Sequence, residues 1–178
     1  NFSEIKQLHL EVTSYCNASC PMCTRNINGG VINPHLHLSQ LTLDDVKARI
    51  PSDFIRNLDL IYFCGNYGDP AMGRDTLDII RYFRTLNKNL KINFYSNGGA
   101  RDVSWWSELA PLVDLCQFDI DGLSNTNHLY RRGTKWDKII AHIKSFISAG
   151  GNAGWEYVVF EHNQEQVAEA KSLSVELG

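Results

Sequence analysis

The chain has 178 residues, enough for one sizeable domain and too few for two comfortable ones. Apolar residues make up 43% and charged residues 21%, an ordinary globular balance, and no apolar run approaches the roughly eighteen residues of a membrane span. A net charge of −3 without a basic cluster argues against a nucleic-acid role. The chain opens at Asn1 without a signal-peptide pattern, so its natural N-terminus is expected upstream and a cytoplasmic location is expected.

Strand-like and helix-like segments alternate along the chain, with no internal repeat, low-complexity stretch or linker. Gln7–Thr13 alternates apolar and polar residues and predicts a strand. After a cysteine-bearing loop, Leu41–Ile50 predicts a helix with Thr42 as N-cap and Pro51 as its stop. Leu58–Cys64 predicts strand two, and Asp75–Asn87 a helix with Leu77, Ile80 and Phe83 at helical spacing. Lys91–Tyr95 predicts strand three, Ser104–Leu112 a helix capped by Ser104, and Leu115–Ile120 strand four. A longer helix is expected over Lys135–Ala149, ended by Gly150–Gly151, then strand five at Trp155–Phe160 and an amphipathic helix at Gln164–Leu177. Five βα units imply a parallel sheet with right-handed crossovers, either doubly wound or an open, partial (β/α) barrel; a closed eight-unit barrel needs about 250 residues. In both, ligands bind at the carboxyl ends of the strands.

The unusual residues collect at those ends. CNASCPMC follows strand one, GNYGDP (65–70) strand two and SNGG (96–99) strand three; DIDG (119–122) ends strand four and EHNQ (161–164) follows strand five. Of five cysteines, Cys16, Cys20 and Cys23 crowd into one loop, while Cys64 and Cys116 stand apart. An odd count in a chain of this size points to a metal or redox site rather than a disulfide framework. Three thiolates spaced C-x3-C-x2-C can hold a cubane iron–sulfur cluster and leave one iron without a protein ligand. Two other readings stay open: a structural zinc module, with Cys64 or a histidine as fourth ligand, and an Fe–S electron carrier without further chemistry.

The cysteine spacing directly after a first strand resembles the defining motif of the radical S-adenosylmethionine (SAM) superfamily, and the resemblance spans nearly the whole chain. Gly68-Asp69-Pro70 resembles that family's Gly-Gly-Glu-Pro segment, Ser96-Asn97-Gly98 its Thr-Asn-Gly segment, and Asp119-Ile120-Asp121-Gly122 its Ser-x-Asp-Gly segment. Arg132-Gly133 and Val158–Asn163 are similar to the segments that follow. The departures are Tyr67 for the first glycine, Asp69 for glutamate and Asp119 for serine.

The resemblance implies a partial (β/α) barrel of about five to six parallel strands, with residues 1–178 forming one core domain that lacks a C-terminal substrate-recognition part. It is most like the SPASM/twitch-type maturases that modify peptides or protein side chains. It implies a [4Fe–4S] cluster on Cys16, Cys20 and Cys23, with SAM on the open iron. Asp69 would accept from the SAM amino group, with Gly68 beside it. Ser96 and Asn97 would lie near the sulfonium and carboxylate, Asp119 at the ribose hydroxyls and Arg132 at the carboxylate, while Tyr15 and Met22 would flank the cluster. A one-electron donor such as flavodoxin or ferredoxin would drive reductive cleavage to a 5′-deoxyadenosyl radical, which abstracts hydrogen from an unidentified substrate.

Other residues read as structural. His35 and His37 read as surface, Cys116 as a small buried hydrophobe and Cys64 as core near the rim. Of Trp105 and Trp106, one is expected to pack inside and the other to lie at the surface.

Overall fold

A computed structural model describes residues 4–178; the chain start at Asn1 lies outside the described residues. Five parallel strands form one sheet in the order β1-β2-β3-β4-β5: Gln7–Leu10, Leu60–Phe63, Lys91–Ser96, Leu115–Asp119 and Ala153–Glu156. This order decides between the two expected architectures. A doubly wound sheet reverses its strand order at a switch point. A strictly sequential order with right-handed crossovers keeps the helices on one face, giving an open, partial (β/α) barrel.

Strand alternation carries the same division into the side chains. On the helix-covered face Ile61, Phe63, Ile92, Phe94, Cys116 and Phe118 are at most 1% exposed. The opposite register positions hold Tyr62, Asn93, Tyr95, Gln117, Asp119 and Glu156. A parallel sheet covered on both faces would be apolar throughout. Here one face looks into a polar interior.

The helices are α1 (Leu43–Arg49), α2 (Ser52–Asn57), α3 (Thr76–Leu86), α4 (Val103–Leu109), α5 (Asn127–Tyr130), α6 (Trp136–Ser148) and α7 (Val167–Leu177). Helix α1 starts as expected, with a capping box in which Thr42 Oγ1 accepts from Asp45 N–H and Asp45 accepts from Thr42 N–H, both at 3.0 Å. Helix α6 ends at Gly150, whose φ of +87° suits glycine, while Gly151 N–H reaches back to the Phe146 carbonyl. Between α4 and α6 lies the centre of the core. Trp106 is fully buried there against Phe94, Phe118 and His142, and Trp105 is partly buried with Arg101 over its ring. Cys116 packs in this core as a small hydrophobe.

Three expectations need correction. The cap of α4 is Asp102, not Ser104: Asp102 accepts from Trp105 N–H at 3.0 Å and from the Ser104 hydroxyl at 2.8 Å, so the helix begins one residue earlier. Strand β5 runs over Ala153–Glu156 rather than Trp155–Phe160. Beyond Glu156, side chains take the backbone partners a ladder would need: Val158 N–H donates to Asp121 at 2.7 Å, Phe160 N–H to Asn163 Oδ1 at 2.6 Å, and Asn163 Nδ2 to the Val158 carbonyl at 2.9 Å. The last helix is split by a 3₁₀ turn at Gln164–Gln166, and α7 fully buries only Ala170, so it is weakly amphipathic. Helices α2 and α5 were not expected; both are too short to show a periodic pattern.

Candidate active site

The loop between β1 and α1 carries Cys16, Cys20 and Cys23, and it is fastened by backbone contacts from neighbouring loops. Ser14 N–H donates to the Ser39 carbonyl at 2.9 Å, and Ser19 N–H to the Arg132 carbonyl at 2.8 Å. Asp69 N–H donates to the Tyr15 carbonyl at 2.9 Å. Gly68 makes this approach possible, because a Cβ there would overlap the Thr13 carbonyl oxygen, a backbone atom that cannot swing away. The cysteine loop and the strand-two loop are therefore locked together.

Asp69 is the knot. It is 4% exposed and accepts from Ala71 N–H at 2.9 Å, Ser96 Oγ–H at 2.9 Å, Asn97 N–H at 2.9 Å and Asn97 Nδ2–H at 2.6 Å. Burial raises its pKa, and these donors pull the other way. An ionised carboxylate offers about four lone-pair sites, and four donors fill them. Four donors from the protein thus engage both Asp69 oxygens. Their geometric effect is to set the SNGG turn against the cysteine loop, where Asn97 pairs its amide with that of Asn17 at 3.1 Å and reaches Cys16 Sγ at 3.7 Å.

A cavity of about 330 Å³ opens between these loops and the polar inner face of the sheet. Cys16, Cys20, Cys23, Gly68, Asp69, Ser96, Asn97 and Asp119 all line it. Burial pushes the Cys16 thiol up to about 12, helped by the Asp69 charge, and raises Cys20 as well. Burial also pushes Asp119 up to about 7, partly offset by Arg131. Tyr15, Met22 and Arg132 are not brought into this lining. Met22 is 74% exposed, Tyr15 is exposed on the loop, and the Arg132 guanidinium donates to the Asn28 carbonyl at 3.2 Å. The neighbouring Arg131 lines the cavity instead, ion-paired with the fully buried Asp121 at 2.6 Å.

Whether these residues suit a cluster is a matter of spacing. A tetrahedral zinc held about 2.3 Å from each sulfur needs its thiolates gathered around one point. A cubane takes one thiolate per iron and needs them spread around it. Among the described residues no three His, Cys, Asp or Glu side chains are gathered to hold a single ion, and His35 and His37 are exposed. The three cysteines border a shared volume. The donor set fits a sulfur-rich cluster.

The family model described as the radical SAM superfamily matches residues 10–173. The chain belongs to the radical SAM superfamily. Members of this superfamily are enzymes built on a [4Fe–4S] cluster and SAM. The radical SAM chain is 27% identical, over 98% of its length and 49% of the relative's, to the tungsten-containing aldehyde ferredoxin oxidoreductase cofactor-modifying protein of Pyrococcus furiosus. Among solved structures it superposes on anSMEcpe with bound AdoMet (TM-score 0.74, 18% identity, 96% of this chain and 46% of that one). It also superposes on Streptococcus suis SuiB bound to SAM (TM-score 0.71, 17% identity, 96% and 38%). The chain thus spans about half or less of these proteins' lengths. No helix among the described residues is long and apolar enough to cross a membrane.

This radical SAM core also brings into the cavity Arg25, Tyr95, Arg131 and Glu156, which the sequence analysis passed over, and Cys64, which it read as core near the rim. Cys64, expected in the core, is half-buried at the cavity wall with His9 Nε2 3.0 Å from its sulfur, and burial together with the Glu11 charge pushes its thiol up to about 11. Strand parity is the signal that finds Tyr95 and Glu156. Tyr95 is two residues from Asn93 on the inner face, and Glu156 pairs in register with Asp119. Arg25 sits on an irregular loop, where no period applies.

Proposed function

We propose that Cys16, Cys20 and Cys23 hold a [4Fe–4S] cluster whose open iron binds SAM, making this chain the catalytic core of a radical SAM enzyme. When bound, the pair supplies a one-electron reductive cleavage of SAM and a 5′-deoxyadenosyl radical that takes hydrogen from a substrate. The observation that carries the reading is one cavity bordered both by the three cysteines of a single loop and by the strand-end groups Gly68, Ser96, Asn97 and Asp119.

The chain's own residues position and exclude. Asp69 fixes the Ser96–Asn97 turn over Cys16. Asp119, kept half-protonated near neutrality, is placed to share hydrogen bonds with ribose hydroxyls. Arg131, oriented by Asp121, takes the carboxylate-binding role that the resemblance gave to Arg132. The polar inner face, with Tyr95 and Glu156, borders the substrate side.

We assign residues 1–178 to the core domain and place the protein in the SPASM/twitch-type branch, with a peptide or protein side chain as the substrate class and a flavodoxin or ferredoxin as electron donor. Five free cysteines suit a reducing, cytoplasmic setting. The test is anaerobic reconstitution with iron and sulfide, then SAM and dithionite, with 5′-deoxyadenosine read by mass spectrometry beside a Cys20→Ala variant. Product from the wild type alone supports the reading. A protein that takes up zinc and no iron overturns it.

A further inference from the structure

Arg25 lies two residues beyond Cys23 and is only 5% exposed. Burying a guanidinium demands a compensating partner. Nε donates to the Ser14 carbonyl and one terminal nitrogen to Asn26 Oδ1, both at 3.1 Å. Among the described residues no carboxylate pairs with it, and its second terminal nitrogen donates to no protein group. The side chain lines the cavity that the three cysteines border.

Asn26 shows the same imbalance. It is 6% exposed, and its Oδ1 is committed to Arg25. Reversing the amide would set an NH₂ against a guanidinium, so the orientation is fixed and Nδ2 is left as a buried donor with no acceptor. The cavity's other guanidinium provides the contrast: Arg131 is answered within the protein by Asp121 at 2.6 Å. One cation is neutralised by the fold and the other is left over.

A buried cation with no carboxylate partner, at the wall of the cavity that three cysteines border, calls for an anionic group from outside the chain. Three thiolates on a cubane are such a group, with negative charge and sulfur acceptors. We infer that Arg25, held in place by Asn26, is the outer charge partner of the cluster and sets its reduction potential. One electron enters from the reductant, no bond is made or broken, and the cluster gains one negative charge. A fixed cation nearby favours that reduced form. Arg25 thus acts through the charge of the cluster rather than on the substrate, and the inference rests on the cluster assignment above.

The experiment is EPR-monitored redox potentiometry on anaerobically reconstituted wild type, Arg25→Met, Arg25→Gln and Arg25→Lys, with iron and sulfide content measured on each. Arg49→Met, which removes an exposed arginine, serves as the charge control. Loss of the charge in Arg25→Met should shift the one-electron equilibrium about tenfold toward the oxidised cluster, about 59 mV more negative. Arg25→Lys should keep most of the wild-type potential, and Arg49→Met all of it. Arg25→Gln retains a hydrogen-bonding side chain and loses the charge, so it decides the question if Arg25→Met does not load iron. A fully loaded Arg25→Met or Arg25→Gln with the wild-type potential overturns the inference and leaves the cluster assignment standing. A wild type that assembles no cluster overturns the assignment itself.

Discussion

Asp119 and Gly68 act through opposite means, one through charge and the other through the absence of a side chain. Burial raises Asp119 from 3.8 to about 7, with Glu156 and Asp69 adding to the rise against Arg131. Between those two values the folded state holds a proton that the unfolded state has released, so folding stability falls as pH rises through that window and levels off above it. Urea unfolding of the cluster-free protein at pH 5 and pH 8 should show a loss on the order of 3 kcal/mol that Asp119→Asn removes. An Asp119→Asn protein with the wild-type pH profile would remove the basis for this assignment. Gly68→Ala meets the Thr13 carbonyl, so the two locked loops must separate. Its expected cost is about 3 kcal/mol by denaturant titration, with loss of iron uptake. Gly68 and Asp69 stand out in the sequence; the saturation of Asp69 by four donors does not, because it depends on where the SNGG turn comes to lie.

At the scale of elements, the strands on the helix-covered side and helices α1, α3 and α6 were legible because periodic apolar patterns and the Thr42 cap mark them. Their ends were not, wherever a side chain captured a backbone group. Asp102 took the cap expected of Ser104, and Asp121 with Asn163 ended β5 early. Asp102→Ala should therefore cost about 1 kcal/mol by thermal or urea unfolding, and Ser104→Ala only a few tenths. The reverse order would restore Ser104 as the cap. In the same way three cysteines are visible as a motif, while Arg25 and Arg131 are picked out only by burial and pairing, which a linear pattern does not carry.

Across the whole molecule, the core and the site share one set of fastenings. The SNGG turn that Asp69 grips from the cavity side is held from the core side by two carbonyl contacts. Trp106 Nε1–H donates to the Ala100 carbonyl at 3.0 Å, and His142 Nδ1–H to the Gly98 carbonyl at 2.7 Å, with the tautomer fixed because a carbonyl only accepts. Trp106 and His142 stack with ring centroids 5.7 Å apart, so α4 and α6 reach the site through one aromatic pair. Trp106→Phe keeps most of the apolar burial and deletes the indole donor, leaving the carbonyl of the buried Ala100 without that donor. The expected cost is about 2 kcal/mol of stability. Amide hydrogen exchange should discriminate this mechanism from general loosening. The Gly98 and Gly99 amides, which donate to Ser96 Oγ and Asn97 Oδ1, should exchange faster, while β1 and β2 keep their protection. Uniform acceleration across all five strands would mean that Trp106 serves the core alone and that the turn owes its shape to Asp69.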